Sequence, residues 1–186
     1  MRRIDIGRAT FIDRSGHQAQ RLFVNVGDVG FSGAVVERVN RSSKALGGFL
    51  SYLGGLVTTL LTYSNKLVHI TIDGRVEEIG VVNAVVVANG QYFGGGMWVA
   101  PTAQVDDGLF DIAVIGDVGK VEVIGNVPKL YRGTLASHPK VRYFRGRNVT
   151  VTSGDEVLLD LDGEQPGRAP VTFQLLPQAL ACMVPA

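Results

Sequence analysis

The segment Val157-Leu158-Leu159-Asp160-Leu161-Asp162-Gly163-Glu164 carries acids at alternate positions. In an extended strand alternate side chains share a face, so Asp160, Asp162 and Glu164 would project together, about 6–7 Å apart in sequence order. Carboxylates so placed repel one another unless a cation or basic group stands opposite. The competing outcome is a hairpin turn at Asp162-Gly163 whose acids face water. Spacing alone favours that turn, because Asp-Gly is a common turn pair.

Three other stretches have the residue types for ligand chemistry. Asn89-Gly90-Gln91-Tyr92-Phe93-Gly94-Gly95-Gly96-Met97 follows an apolar strand, and its glycines would let backbone amides approach a ligand. No Lys-Ser/Thr follows, so it is no P-loop, and a tight turn with positive φ explains it equally well. Gln104-Val105-Asp106-Asp107-Gly108-Leu109 could offer backbone and carboxylate oxygens to a hard cation such as Mg²⁺, although most Asp-Asp-Gly turns hold no metal. Gly27-Asp28-Val29-Gly30-Phe31-Ser32-Gly33 has a dinucleotide-loop outline with the wrong glycine spacing, which argues against a Rossmann site. His17, His69 and His138 are scattered, and Ser137 and Ser153 lack a triad context.

These residues need elements to hold them. Val/Ile-rich runs between Gly, Asp and Asn signals predict strands at Arg3–Phe11, Arg21–Val26, Lys66–Ile72, Arg75–Ile79, Val81–Ala88 and Leu109–Ile115. Further strands are expected at Asn148–Ser153, Glu156–Asp160, Val171–Leu176 and Ala179–Val184, with a hairpin turn at Asp73-Gly74. The period changes to 3.6 over Gly33–Tyr63, read as two helices with a bend near Asn40–Lys44 and Gly47-Gly48, and over Val118–Leu130. The predicted fold is mainly β (α+β), with helices packed on it. Phe49, Leu53, Leu56 and Leu60 would cover the sheet.

A chain of 186 residues with 46% hydrophobic and 19% charged residues suits one globular domain. A formal net charge of +1 gives no global field for nucleic acid, and none is expected as a partner. The cluster Arg142, Arg145, Arg147 reads as solvated surface. The single cysteine, Cys182, forms no internal disulfide and reads as a small core residue, consistent with a cytoplasmic protein. No run reaches the roughly 20 apolar residues of a membrane span, so at most peripheral membrane contact is expected.

In this order the motifs are specific. Asn25-Val26-Gly27-Asp28-Val29-Gly30-Phe31, the Tyr92–triple-glycine loop, Ala100-Pro101, Asp106-Asp107-Gly108-Leu109-Phe110-Asp111, Asp162-Gly163-Glu164 and the closing Leu176-Pro177-Gln178-Ala179-Leu180 together resemble bacterial diacylglycerol kinases and related lipid kinases. The resemblance covers essentially the whole chain. It implies the β-sandwich-like second domain of a two-domain, NAD-kinase-like plan whose first domain carries a Gly-Gly-Asp-Gly nucleotide motif. That motif is absent from this sequence.

The resemblance further implies Glu164 as the base toward a lipid hydroxyl, with Asp162 supporting or sharing the role. It also implies a Mg²⁺ site from the Gln104 and Leu109 carbonyls and the Asp107 carboxylate. ATP would be the co-substrate, held mainly by the N-terminal nucleotide-binding domain, and the chain alone would be inactive. Many members carry Asp where this chain has Ser32, so that acid's role does not transfer. A diacylglycerol-like lipid is the expected acceptor, with a sphingoid base or phosphatidylglycerol left open, and a homodimer is also left open. Because a lipid kinase must admit acyl chains, the resemblance also gives the Gly33–Tyr63 helix, with Phe49, Leu53, Leu56 and Leu60, a second reading as pocket lining beside its covering of the sheet. Two other classes compete: a non-catalytic lipid-binding or oligomerisation module, and a polyphosphate/NAD-kinase-type relative. The Asp-Gly-Glu context and the tyrosine–glycine loop favour the lipid kinase over the latter.

Overall fold

A computed structural model describes residues 1–41 and 48–183, with the side chains of residues 41 and 48–53 outside the description. The strands are β1 (Arg2–Asp13), β2 (Gln18–Phe23), β3 (Val26–Gly30), β4 (Lys66–Ile72), β5 (Arg75–Ala88), β6 (Tyr92–Phe93), β7 (Met97–Trp98) and β8 (Phe110–Gly116), followed by β9 (Val141–Gly146), β10 (Asn148–Thr152), β11 (Leu159–Leu161) and β12 (Gly167–Cys182). The helices are α1 (Phe31–Arg41), α2 (Gly48–Thr62) and α3 (Lys120–Tyr131), with a 3₁₀ turn at Leu135–Ser137.

Every strand pairing is antiparallel, and ten strands form one sheet in the order β11-β3-β5-β4-β10-β12-β1-β2, with β8 and β9 continuing from β5. The sheet folds on itself. Val29, Val85, Val87, Ile112 and Leu159 from one half pack against Phe11, Ile70, Val149, Val171 and Phe173 from the other in one buried core. Phe23 stacks on Phe110 at 5.7 Å and meets Phe173 edge-on at 5.8 Å, closing the sandwich end. The expected β-sandwich-like fold with packed helices is what the chain adopts.

Residues of opposite parity face the other way. Val26, Val86, Ala88 and Ala113 form a second cluster with Val99, Ala100 and Ala103. The run Val82–Ala88 is therefore buried on both faces, which explains why it is apolar throughout except at Asn83.

Several expected boundaries move. Arg21–Val26 is not one strand but breaks at Val24-Asn25, where the backbone N–H groups turn to the Asp162 carboxylate instead of a ladder. The two segments expected within 75–88 form the single strand β5, and those expected at 171–176 and 179–184 merge into β12, up to Cys182. Near Gln178 the β1–β12 register shifts, and the buried Asp5 carboxylate caps the irregularity by accepting from Gln178 N–H at 2.7 Å and Gly108 N–H at 2.8 Å. Cys182 is partly exposed at the end of β12, not in the core. Of Glu156–Asp160, only Leu159 and Asp160 fall in a strand.

Strand β9 occupies what read as a basic surface. Its arginines reach partners across the sheet: Arg142 pairs with Glu78, and Arg145 with Asp107 and Asp111. The helices stand close to their expected places, the bend near residues 42–47 lying outside the described residues. Gly133, at φ +67 beneath the Trp98 ring, supplies the stop after α3. Asp73 and Gly74, at φ 47 and 82, form the expected hairpin turn.

Candidate functional site

On the face opposite the sandwich core, α1, α2 and α3 enclose a cavity of about 510 Å³ over the sheet. Its walls are mostly apolar, with Val35, Leu56, Val86, Met97, Val127 and Leu130 contributing. Of the four apolar residues singled out on this helix, Leu56 lines the cavity and Leu60 does not, whereas Phe49 and Leu53 lie outside the described side chains. Asn25, Asp160, Asp162 and Gly163 add polar groups to the lining.

The acid segment does not stay extended. β11 ends at Leu161, and Leu161 and Glu164 exchange backbone hydrogen bonds at 2.9 and 3.0 Å around a turn with positive φ at Asp162 and Gly163. Asp162 accepts N–H bonds from Val24 (2.7 Å), Asn25 (3.0 Å) and Val26 (2.9 Å), so its carboxylate fixes the β2–β3 connection. Glu164 does not line the cavity. Its side chain is 65% exposed and pairs with Arg21 at 2.6 Å. The structure thus puts Asp160 and Asp162 at the cavity and Glu164 on the solvent side of the same turn.

Sequence reasoning passed over Asp28. It stands directly across the ladder from Asp160 and is 1% exposed, with no hydrogen-bond partner for either carboxylate oxygen. Burial, reinforced by Asp160, holds its carboxyl well above the usual range, and the nearby Ser32 hydroxyl opposes that without a well-formed bond. Asp160 is pushed up to about 6 by burial, against the Gly163 N–H bond and with help from Asp162. An acid inside an otherwise apolar strand was the available signal.

The Gln104–Leu109 loop is different. Asp107 pairs with Arg145 and accepts from Leu109 N–H at 3.1 Å, and Asp106 pairs with Arg2 at 2.7 Å. Both loop carboxylates already have a positive partner, an arrangement that fits an ion pair better than a divalent ion. No cluster of three or more His, Cys, Asp or Glu suited to a metal occurs among the described residues. The three loop glycines Gly94, Gly95 and Gly96 all have positive φ and close the small β6–β7 hairpin, where Tyr92 stacks on Trp98 at 5.4 Å.

Residues 25–184 match the model of the YegS C-terminal NAD kinase beta sandwich-like domain. This chain belongs to that family of lipid-kinase C-terminal domains. The YegS-type domain is 27% identical over 172 residues to a diacylglycerol kinase of Staphylococcus carnosus, covering 91% of this chain and 55% of that protein. It is 30% identical over 173 residues to the "Probable lipid kinase YegS-like" protein of Pseudomonas savastanoi pv. phaseolicola, covering 92% and 55%. The domain therefore spans about half the length of these curated relatives. A crystal structure of a Bacillus anthracis diacylglycerol kinase shares its fold, with TM-score 0.58 and 19% identity over 95% of this chain and 52% of that one. No helix among the described residues is long and apolar enough to cross a membrane.

Proposed function

We propose that this YegS-type domain is the acceptor-binding, base-bearing part of an ATP-dependent lipid kinase. The observation that carries the proposal is the apolar cavity of about 510 Å³ with the Asp162-Gly163 turn in its wall and Glu164 next in sequence. A lipid chain would occupy the helix-covered walls and bring its hydroxyl to the turn. Glu164, released from Arg21, takes the hydroxyl proton as the new oxygen–phosphorus bond forms and the bond to ADP breaks. Asp162 is a positioning residue, because three backbone N–H groups already occupy its carboxylate. ATP belongs to a nucleotide-binding domain of the Gly-Gly-Asp-Gly type, a motif these 186 residues lack. Arg2 and Arg145 pair with the acids of the Gln104–Leu109 loop, so a Mg²⁺ ion held there would have to displace an ion pair.

Helix α3 supports peripheral membrane contact. It presents exposed Val121, Ile124 and Tyr131 beside the cavity, with Lys120, Lys129 and Arg132 in and just after it. A second reading, a lipid-binding module without catalysis, draws on Glu164 lying outside the cavity in an ion pair. One experiment separates the two. The 186-residue chain should bind dioctanoylglycerol yet phosphorylate none with ATP, and joining it to a Gly-Gly-Asp-Gly domain should produce turnover. Binding without turnover in the joined protein would leave only the binding module, and failure to bind would remove the cavity from both readings.

A further inference from the structure

Asp160, Asp28 and Val86 occupy one cross-strand row over β11, β3 and β5. Directly opposed residues share a face with Cβ atoms about 4.5–5.5 Å apart. Asp160 and Val86 both line the cavity, and Asp28 lies between them in the row, 1% exposed and beneath the lining rather than part of it. Like charges opposed in this way destabilise a sheet, and a buried carboxylate with two unpartnered oxygens is a rarity that needs an explanation.

Among the described residues no basic side chain answers the pair. The described cavity lining contains neither lysine nor arginine, and its histidine, His138, lies 3.4 Å from the Glu122 carboxylate. Tyr63 feels the Asp28 charge, but its hydroxyl donates to the Asn83 carbonyl at 3.4 Å. A hard metal ion would require about six oxygen ligands, whereas the polar lining here is Asn25, Ser32, Asn83 and an Asp162 already holding three N–H groups, among Val26, Phe31, Val35, Ala84 and Val86. A primary ammonium needs only a few acceptors for its three donors and can carry an apolar tail.

Resting on the reading of this cavity as a lipid site, we propose that its ligand is an amphiphile whose polar end carries a protonated amine. The ammonium donates to Asp160 over the Asp28 carboxylate, and the hydrocarbon chain lies along Val35, Leu56, Val127 and Leu130. The acid pair then has its missing counter-charge, supplied by the ligand rather than by the protein.

The test compares decylamine with 1-decanol, equal in chain length, by calorimetric titration of the 186-residue chain at pH 7 below aggregation. The amine should bind at least about tenfold more tightly, as expected for a charge-assisted hydrogen bond in a desolvated site. Asp160→Asn and Asp28→Asn should each reduce that preference toward unity while leaving decanol affinity within about twofold, and the double variant should lose little more. Either single variant suffices if the other misfolds, as circular dichroism would reveal. Equal affinity for amine and alcohol, or a preference that survives both substitutions, overturns the proposal and leaves an acid pair that only shares a proton. Decanol binding without amine preference sinks this inference alone. Failure of both ligands to bind removes the lipid site as well.

Discussion

The domain contains two acid-rich turns of similar sequence, Asp106-Asp107-Gly108 and Asp160–Glu164, and they differ in who answers the charge. In the first, Arg2 and Arg145 arrive from β1 and β9, and both carboxylates are paired. In the second, Asp162 holds backbone amides, Glu164 meets Arg21 in solvent, and Asp160 faces Asp28 with no cation near among the described residues. A turn whose acids are neutralised internally is complete as it stands. A turn that leaves buried acid unanswered points to a group arriving from outside.

The largest effect expected from this contrast is catalytic. In a protein joining this domain to its nucleotide-binding half, Glu164→Gln should lower kcat by roughly 10²–10⁴-fold with the fold intact. A pH–rate profile should show an acidic limb for the wild type that the variant lacks; a near-normal kcat would show the turn to be structural only.

Asp162→Ala should cost about 2–4 kcal/mol in urea unfolding, since three backbone donors lose a charged acceptor at once. A loss below about 0.5 kcal/mol would mean that water replaces the carboxylate without penalty.

The acid pair makes a pH prediction of opposite sign to an ordinary salt bridge. Folding raises both carboxyls, so the folded state holds more protons than the unfolded chain. The stability they contribute is fully present below the ordinary value of 3.8 and is lost as pH rises past about 6. Among the described residues, the groups facing the pair are Asp162 from the turn, Ser32 from α1 and Tyr63 after α2. Asp160→Asn should therefore stabilise the domain by roughly 1–3 kcal/mol at pH 8 and by much less at pH 4. Equal effects at the two pH values would contradict the shift.

The smallest effect falls on the neutralised turn. Asp107→Ala should cost about 0.3–1 kcal/mol, equally in Mg²⁺ and in EDTA, because it removes a partly exposed ion pair. A loss confined to Mg²⁺ would show that a cation displaces Arg145.

What was legible in the sequence follows the range of the interactions involved. The hairpin at Asp73-Gly74, the change of period into the helices, and the doubly buried run Val82–Ala88 are local facts, and each stands where expected. Strand β9 was hidden because Arg142 and Arg145 break its apolar pattern, and their partners Glu78, Asp107 and Asp111 lie 34–64 residues away. The break between β2 and β3 was hidden likewise, since it is enforced by Asp162, 136–138 residues later. Asp160 was visible as one of three alternating acids, but Asp28 was not, because only the β3–β11 register sets one opposite the other.

Asp5 has a consequence for the order in which the domain opens. Its fully buried carboxylate receives N–H bonds from Gly108 in the neutralised loop and from Gln178 in the last strand, while the Asp5 backbone N–H donates to the Val105 carbonyl at 2.6 Å. The chain's first strand, its last strand and a mid-chain loop are thereby riveted at one atom group. In hydrogen–deuterium exchange the Gly108 and Gln178 amides should behave as one cooperative unit, exchanging at matched rates and accelerating together in Asp5→Asn. The loop is therefore no independent surface turn: its opening is coupled to release of the β1–β12 seam that joins the two ends of the domain.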